Sequence, residues 1–223
     1  MRVLDLFCGA GGAAMGLHRA WPDAEIIGVD NKLQRRYPFR FVWDDAMTFP
    51  LEGYDFIWAS PPCQAHTALK TMWNAKKHPE LVEPTRERLK ASGSPYVIEN
   101  VPGAPLQKGS ILLCGTMFGL QTKDGCGELR RHRFFEVSHA IGLTPPCRHD
   151  TGGVIGVYGG HGQDRRRSIT VVSKGGGQRR NHGQSFPVHQ RREAMGIDWM
   201  TDYELSQAIP PAYSEFIARQ FSL

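Results

Sequence analysis

Short apolar runs, each halted by glycine, proline or an acidic residue and several followed by helical patterning, constrain this chain more than any other feature. Val3-Leu4-Asp5-Leu6-Phe7 reads as a buried strand, Gly9 to Gly12 as a tight turn, and Ala13 to Ala20 as a helix. Glu25 to Asp30 is a second strand ending on an acid. Asp55 to Ala59 is another, and it stops at Ser60-Pro61-Pro62 because proline cannot continue a central strand. Leu81 to Ala91 has helical spacing, and Pro95-Tyr96-Val97-Ile98-Glu99 is a further strand running into Asn100-Val101-Pro102-Gly103. Strand, turn and helix repeating in this way predict a doubly wound α/β sheet with ligands at the carboxyl ends of its strands.

With 223 residues and 40% hydrophobic content, the chain can bury one core of useful size but falls short of two enzyme domains. Residues 136–190 are rich in Gly, Arg and His and hold few runs long enough for a core helix, so they read as an inserted, substrate-facing subdomain. Helical patterning returns at Arg191 to Met195 and at Tyr213 to Gln220. The expected organisation is therefore a main domain of residues 1–135 and 191–223 around a subdomain of residues 136–190.

The net charge of +5 and the pI near 9.0 suit a polyanionic partner, although many unrelated proteins are as basic. Arginines cluster in the second half, at Arg130, Arg131 and Arg133, at Arg165, Arg166 and Arg167, at Arg179 and Arg180, and at Arg191 and Arg192. Five cysteines at irregular spacing, with no C-x-x-C pair, do not read as a disulfide framework and fit a reducing compartment better. Met1 leads directly into Val3 to Phe7 without a basic leader, and no apolar run reaches spanning length. A cytoplasmic protein with no membrane partner is expected.

Two constellations carry chemistry. Gly9, Gly11 and Gly12 lie between a strand and a helix, where backbone approaches a ligand closely and amides point outward. Taken alone the turn fits a dinucleotide equally well, with Asp30 holding ribose hydroxyls in either case. Asp45, at a third strand end, could accept from an adenine amino group or be a solvated loop carboxylate. Cys63 follows two prolines just past a buried strand; a lone cysteine there is more often structural than reactive. Glu99 raises its standing, because in a parallel sheet both side chains come to the same face. Cytosine accepts a thiolate at carbon 6 once ring nitrogen 3 is protonated or strongly hydrogen-bonded, and a carboxyl group can do that. Cys126, His132, His139, Cys147 and His149 match no common zinc spacing, so no metal is expected. Cys8 and Cys114 read as small buried side chains.

The ordered set Asp5-Leu6-Phe7-Cys8-Gly9, Pro61-Pro62-Cys63-Gln64, Glu99-Asn100-Val101 and Arg131-His132-Arg133 resembles the cytosine-5 DNA methyltransferase family. Arg192-Glu193-Ala194-Met195-Gly196 is similar to the motif that follows the family's target-recognition region, and Ala208-Ile209-Pro210-Pro211 to its last motif. The chain would be a small, single-domain member of prokaryotic or phage type. Leu129 stands where the family usually has glutamine, and Ser206-Gln207 where it usually has Gly-Asn.

The resemblance implies a Rossmann-like S-adenosylmethionine-dependent methyltransferase sheet with a short inserted target-recognition region. It implies Cys63 as nucleophile, Glu99 at ring nitrogen 3, Arg133 on the base carbonyl and Arg131 supporting the loop or a phosphate; for Arg131 a surface ion pair fits equally. S-adenosylmethionine would lie against Phe7, Cys8, Gly9, Ala10, Gly11, Gly12, Asp30, Asn31, Asp45, Ala46, Pro61, Gln207 and Ala208. Double-stranded DNA would be gripped by Gln64, Arg165, Arg166, Arg167, Arg179 and Arg180, and the segment from Ala65 to Pro79, with Trp73 and Lys76, would close over it. No obligate protein partner is implied. An RNA cytosine-5 methyltransferase of the transfer-RNA branch, transfer of a different group from an altered cofactor on the same scaffold, a non-catalytic binding relative and, on the glycine turn alone, a nicotinamide-dependent oxidoreductase are the competing readings.

Overall fold

A computed structural model describes residues 1–63, 79–149, 153–157 and 186–221. The described strands are β1 (Arg2–Leu6), β2 (Glu25–Asp30), β3 (Arg40–Trp43), β4 (Phe56–Ala59), β5 (Tyr96–Asn100), β6 (Ile111–Leu113), β7 (Gly127–Leu129), β8 (Arg133–Val137) and β9 (Gly153–Ile155). The described α-helices are α1 (Gly12–Ala20), α2 (Val82–Ser92), α3 (Val188–Met195), α4 (Asp202–Gln207) and α5 (Pro211–Ala218).

Seven strands form one sheet in the order β3-β2-β1-β4-β5-β8-β6. The pairs from β3 through β5 are parallel, and β8 runs antiparallel to both β5 and β6. Strands β4 and β5 are buried along their whole length, as expected of parallel strands covered on both faces. The expected doubly wound α/β sheet is therefore what the chain forms. Strand order reverses between β1 and β4, whose last residues, Leu6 and Ala59, lie side by side. In open α/β sheets that reversal opens the ligand crevice at the carboxyl ends, and here the glycine turn and the Pro-Pro-Cys loop both leave from it.

The end of the chain covers the start. A Cβ on Gly16 of α1 would stand 2.0 Å from the carbonyl oxygen of Pro211, so only glycine lets α5 sit this close. Ser214 Oγ donates to the Ala13 carbonyl at 2.8 Å across the same contact. On the sheet, Arg86 of α2 grips Glu136 of β8, with Nε 2.8 Å from Oε1 and Nη2 2.8 Å from Oε2, both side chains almost fully buried. Glu136 Oε2 also accepts from the Gln107 amide at 3.0 Å.

That pairing moves the expected boundary at residue 136, since Glu136 and Val137 belong to the main sheet. The far side of the insertion is joined to the main body as well. Strand β9 pairs in parallel with β7, and Ile155, Val157 and Phe186 pack with Ala10, Leu129, Met195 and Leu205 in one apolar cluster. Leu129 is a core residue of that cluster. Among the described residues no helix is long and apolar enough to cross a membrane.

Candidate active site

Strand β1 ends in a turn that only unusual backbone can make. Phe7 has φ 55°, Gly9 φ 49° and Gly11 φ 86°, the left-handed region. Gly11 must be glycine for a second reason, because a Cβ there would meet Pro38 Cδ at 2.6 Å. The turn is fixed to the end of β2, where Asp30 Oδ2 accepts from the Gly9 amide at 3.0 Å. Asp30 Oδ1 takes the Lys32 amide at 2.9 Å. Trp199 Nε1 donates to the Ala10 carbonyl at 2.8 Å and ties the turn to the C-terminal part of the chain.

A single cleft opens above this turn. Phe7, Cys8, Gly9, Ala10, Gly12, Asp30, Asn31, Asp45, Pro61, Gln207 and Ala208 line it, and so do Cys63, Glu99 and Arg133. Two expected cofactor residues do not. Gly11 acts through turn shape, and Ala46 is buried in the core, its carbonyl accepting from Arg88 Nη1 at 2.7 Å. Cys8 is buried in the wall, and burial followed by the nearby Asp5 and Asp30 carboxylates pushes its thiol well above the usual range. It is no nucleophile.

The reactive wall joins three elements. Cys63 follows β4, Glu99 is in β5, and Arg133 opens β8. Arg133 Nε stands 3.1 Å from Glu99 Oε1, both side chains nearly buried. Burial raises the Glu99 carboxyl above its usual range, opposed by Arg133, Arg131 and a hydrogen bond from Ser60. Burial likewise raises the Cys63 thiol, helped by the Glu99 charge and opposed by Arg133 and Arg131. The resting site therefore favours a thiol at Cys63 over the thiolate that nucleophilic attack requires.

Arg131 lies in the interior and not on the surface, where an ion pair was the alternative reading. It is almost fully buried, with Nη1 donating to the Val157 carbonyl and Nη2 to the Ser206 carbonyl at 2.8 Å. These contacts make it a brace between the segment after β9 and the end of α4. It is a positioning residue, as a guanidinium saturating carbonyls at this depth must be.

Three contributors escaped the sequence reading. Ser60 hydrogen-bonds Glu99 and accepts from Trp58 Nε1 at 3.1 Å. Asn100 Nδ2 donates to the Pro61 carbonyl at 3.0 Å, and Trp199 holds Ala10. Ser60 adjoins and Asn100 lies inside the motifs already singled out, which was the available signal; Trp199 had none. Gln64, Arg165, Arg166, Arg167, Arg179 and Arg180 lie outside the described residues, as do Trp73, Lys76 and nearly all of the expected closing segment.

One grouping was not foreseen from the spacing. Cys114, read as merely a small buried side chain, is buried, but its thiol faces His132, Cys147 and His149, and the four potential ligand atoms converge. Cys126 and His139 are not part of this group.

No family model matches the sequence, and the search of curated proteins finds no match. Among solved structures, a methyltransferase of Entamoeba histolytica is similar over 97% of this chain and 96% of its own, with a TM-score of 0.58 and 12% identity. An RNA methyltransferase from Salinibacter ruber, solved with S-adenosyl-L-homocysteine, matches over 65% of this chain and 86% of its own, with a TM-score of 0.38 and 12% identity. At such identity the first likeness is one of fold: the chain has the Rossmann-like methyltransferase architecture.

Proposed function

We propose that this chain is a DNA (cytosine-5) methyltransferase acting on a cytosine turned out of the duplex. The observation that carries the reading is the meeting of Cys63, Glu99 and Arg133 on one wall of the cleft whose other wall is the glycine turn. A dinucleotide enzyme would have no use for that wall.

The residues present fit S-adenosylmethionine. The strained turn at Phe7, Gly9 and Gly11 leaves room for a ligand, Asp30 and Asp45 offer carboxylates to a ribose and an adenine, and Gln207 and Ala208 bound the far end. When bound there, the cofactor would supply an electrophilic methyl group.

The chain's own residues account for the rest. Burial favours the protonated Glu99, which donates its proton to ring nitrogen 3 as the Cys63 sulfur, having lost its own proton, bonds to carbon 6. The former carbon 5–carbon 6 pair moves toward carbon 4 and makes carbon 5 nucleophilic. Arg133, oriented by Glu99, keeps donors for the base carbonyl oxygen. After methylation carbon 5 gives its proton to a base, nitrogen 3 returns its proton to Glu99, and the carbon–sulfur bond breaks to release Cys63. Double-stranded DNA is the proposed partner, and the basic stretch carrying Arg165, Arg166, Arg167, Arg179 and Arg180 its recognition region in a cytoplasmic setting.

The test is DNA carrying 5-fluorocytosine, offered with S-adenosylmethionine, since fluorine cannot leave as the proton does. A denaturation-resistant adduct that disappears in Cys63→Ser is expected. An adduct on RNA alone would move the substrate to RNA, and no adduct on either polymer would overturn the reading.

A further inference from the structure

We propose that Cys114, His132, Cys147 and His149 form a tetrahedral site for a structural zinc ion at the root of the inserted region. The four side chains come from three stretches of chain. Cys114 follows β6, His132 immediately precedes β8, and Cys147 and His149 lie on the segment leaving β8. Their ligand atoms all lie within 4.8 Å of one another.

The spacing of those atoms suits one small cation. Cys147 Sγ stands 3.1 Å from His149 Nε2 and 3.4 Å from His132 Nε2, and Cys114 Sγ stands 3.5 Å from His149 Nε2. A tetrahedral zinc, with bonds of about 2.3 Å to sulfur and about 2.0 Å to nitrogen, sets its sulfur–nitrogen edges at roughly 3.5 Å. Two sulfurs and two imidazoles select zinc over hard cations such as magnesium or calcium. Four protein ligands leave no open position, so the ion holds structure and does not activate water. Thr116 Oγ1 donates to Cys114 Sγ at 3.3 Å, the kind of outer hydrogen bond that orients a thiolate ligand. A Cys–His nucleophile pair is the competing use of such residues, but it needs one thiol and one imidazole, and two of each face a common centre here.

The position gives the ion a task. His132 is covalently next to Arg133, whose Nη1 also donates to the His132 carbonyl at 2.8 Å. Cys147 and His149 mark where the chain leaves for residues 150–185. One ion would therefore clamp the start of the insertion to the strand that presents Arg133. The site stands independently of the proposed reaction, because it is read by metal content.

The full-length protein, purified without chelator under reducing conditions, should carry about one zinc per chain by elemental analysis, falling below about a tenth in Cys147→Ser and in His149→Ala. Both residues are exposed, so these variants should fold, which circular dichroism checks. Cys126→Ser and Cys63→Ser should retain the metal. Cobalt loaded into the metal-free wild type should give the intense visible bands of four-coordinate cobalt with a near-ultraviolet thiolate charge-transfer band. If the wild type takes up neither stoichiometric zinc nor thiolate-bound cobalt, the proposal fails. It fails equally if folded Cys147→Ser keeps its metal. Should a variant not fold, the wild-type cobalt spectrum decides alone.

Discussion

Asn100 Nδ2 donates to the Pro61 carbonyl oxygen at 3.0 Å, and this bond joins the loop that carries Cys63 to the strand that carries Glu99. Asn100 is almost fully buried, and its Oδ1 accepts from the Val101 amide at 2.9 Å, so the side chain is held at both ends. Asn100→Ala would leave the Pro61 carbonyl without this partner, at about 1–3 kcal/mol. The consequence should fall on geometry: the single-turnover rate of adduct formation on 5-fluorocytosine DNA drops by roughly 10- to 100-fold, since small misplacements of reacting groups have effects of that size. Binding of S-adenosylhomocysteine, measured by calorimetry, should stay near wild type. An equal loss in both would assign Asn100 a general structural role.

Glu99 and Cys63 bear on pH in opposite senses. Addition needs a protonated carboxyl and a thiolate, but both groups are raised and the carboxyl titrates first. Below the Glu99 pKa the rate rises with pH as thiolate accumulates. Between the two pKa values, gain of thiolate is cancelled by loss of carboxylic acid, which gives a plateau; above the Cys63 pKa the rate falls. Glu99→Gln removes the carboxyl from this balance. Its rate of adduct formation should be lower by about 10²- to 10⁴-fold and should climb with pH without a plateau until Cys63 is ionised. A plateau retained in Glu99→Gln would mean that another group protonates the base.

Much of this arrangement was legible before any coordinates. Runs such as Val3 to Phe7 and Asp55 to Ala59 announce parallel strands because both faces are buried, and their termination by glycine or proline marks the carboxyl ends where the cleft opens. Strands β6, β7 and β9 are three residues each, too short for any period to emerge. Helix α4 was readable but missed: Thr201 and Glu204 form a reciprocal capping box, the T-x-x-E signature. The Cys and His cluster was visible only in part. His132, Cys147 and His149 stood out by type, but Cys114 is distant in the chain and joins them because β8 runs back antiparallel beside β6. The burial of Arg131 was not legible because sequence shows a charge but not the carbonyls waiting for it.

The Arg86 and Glu136 pair offers a stability test away from the cleft. Glu136 accepts two contacts from Arg86 Nε, at 2.8 and 3.0 Å, and one from Nη2 at 2.8 Å, while Nη2 also donates to the Pro105 carbonyl at 2.7 Å. Glu136→Ala would leave the buried Arg86 guanidinium only the exposed Glu83 carboxylate and the Pro105 carbonyl, and breaking the buried pair in this way costs about 3–5 kcal/mol. At roughly 2–4 °C for each kcal/mol in a chain of this size, Tm should fall by about 6–20 °C. The double variant Arg86→Met with Glu136→Leu should recover part of the loss, because no buried charge is then left without its buried partner. Failure of the double variant to improve on Glu136→Ala would show that packing of the arginine stem, and not charge, dominates.

Asp5 makes stability depend on pH in an uncommon direction. Its side chain is fully buried in β1; Oδ2 accepts from Tyr37 at 3.1 Å and Oδ1 has no partner among the described residues. Burial raises its pKa from 3.8 to about 8, with the Tyr37 hydrogen bond opposing and the Asp30 charge adding to the rise. Between those values the folded chain holds a proton that the unfolded chain has released. By linkage, stability from this group is fully present below the unfolded value and declines as pH rises through about 8. Asp5→Asn keeps an acceptor for Tyr37 and cannot ionise. Thermal unfolding should show little difference between variant and wild type near pH 4, and a Tm gain for the variant of roughly 4–8 °C at pH 8, equivalent to about 2 kcal/mol. A variant that is equally destabilised at both pH values would show that Asp5 is ionised in the fold and held by a charge partner.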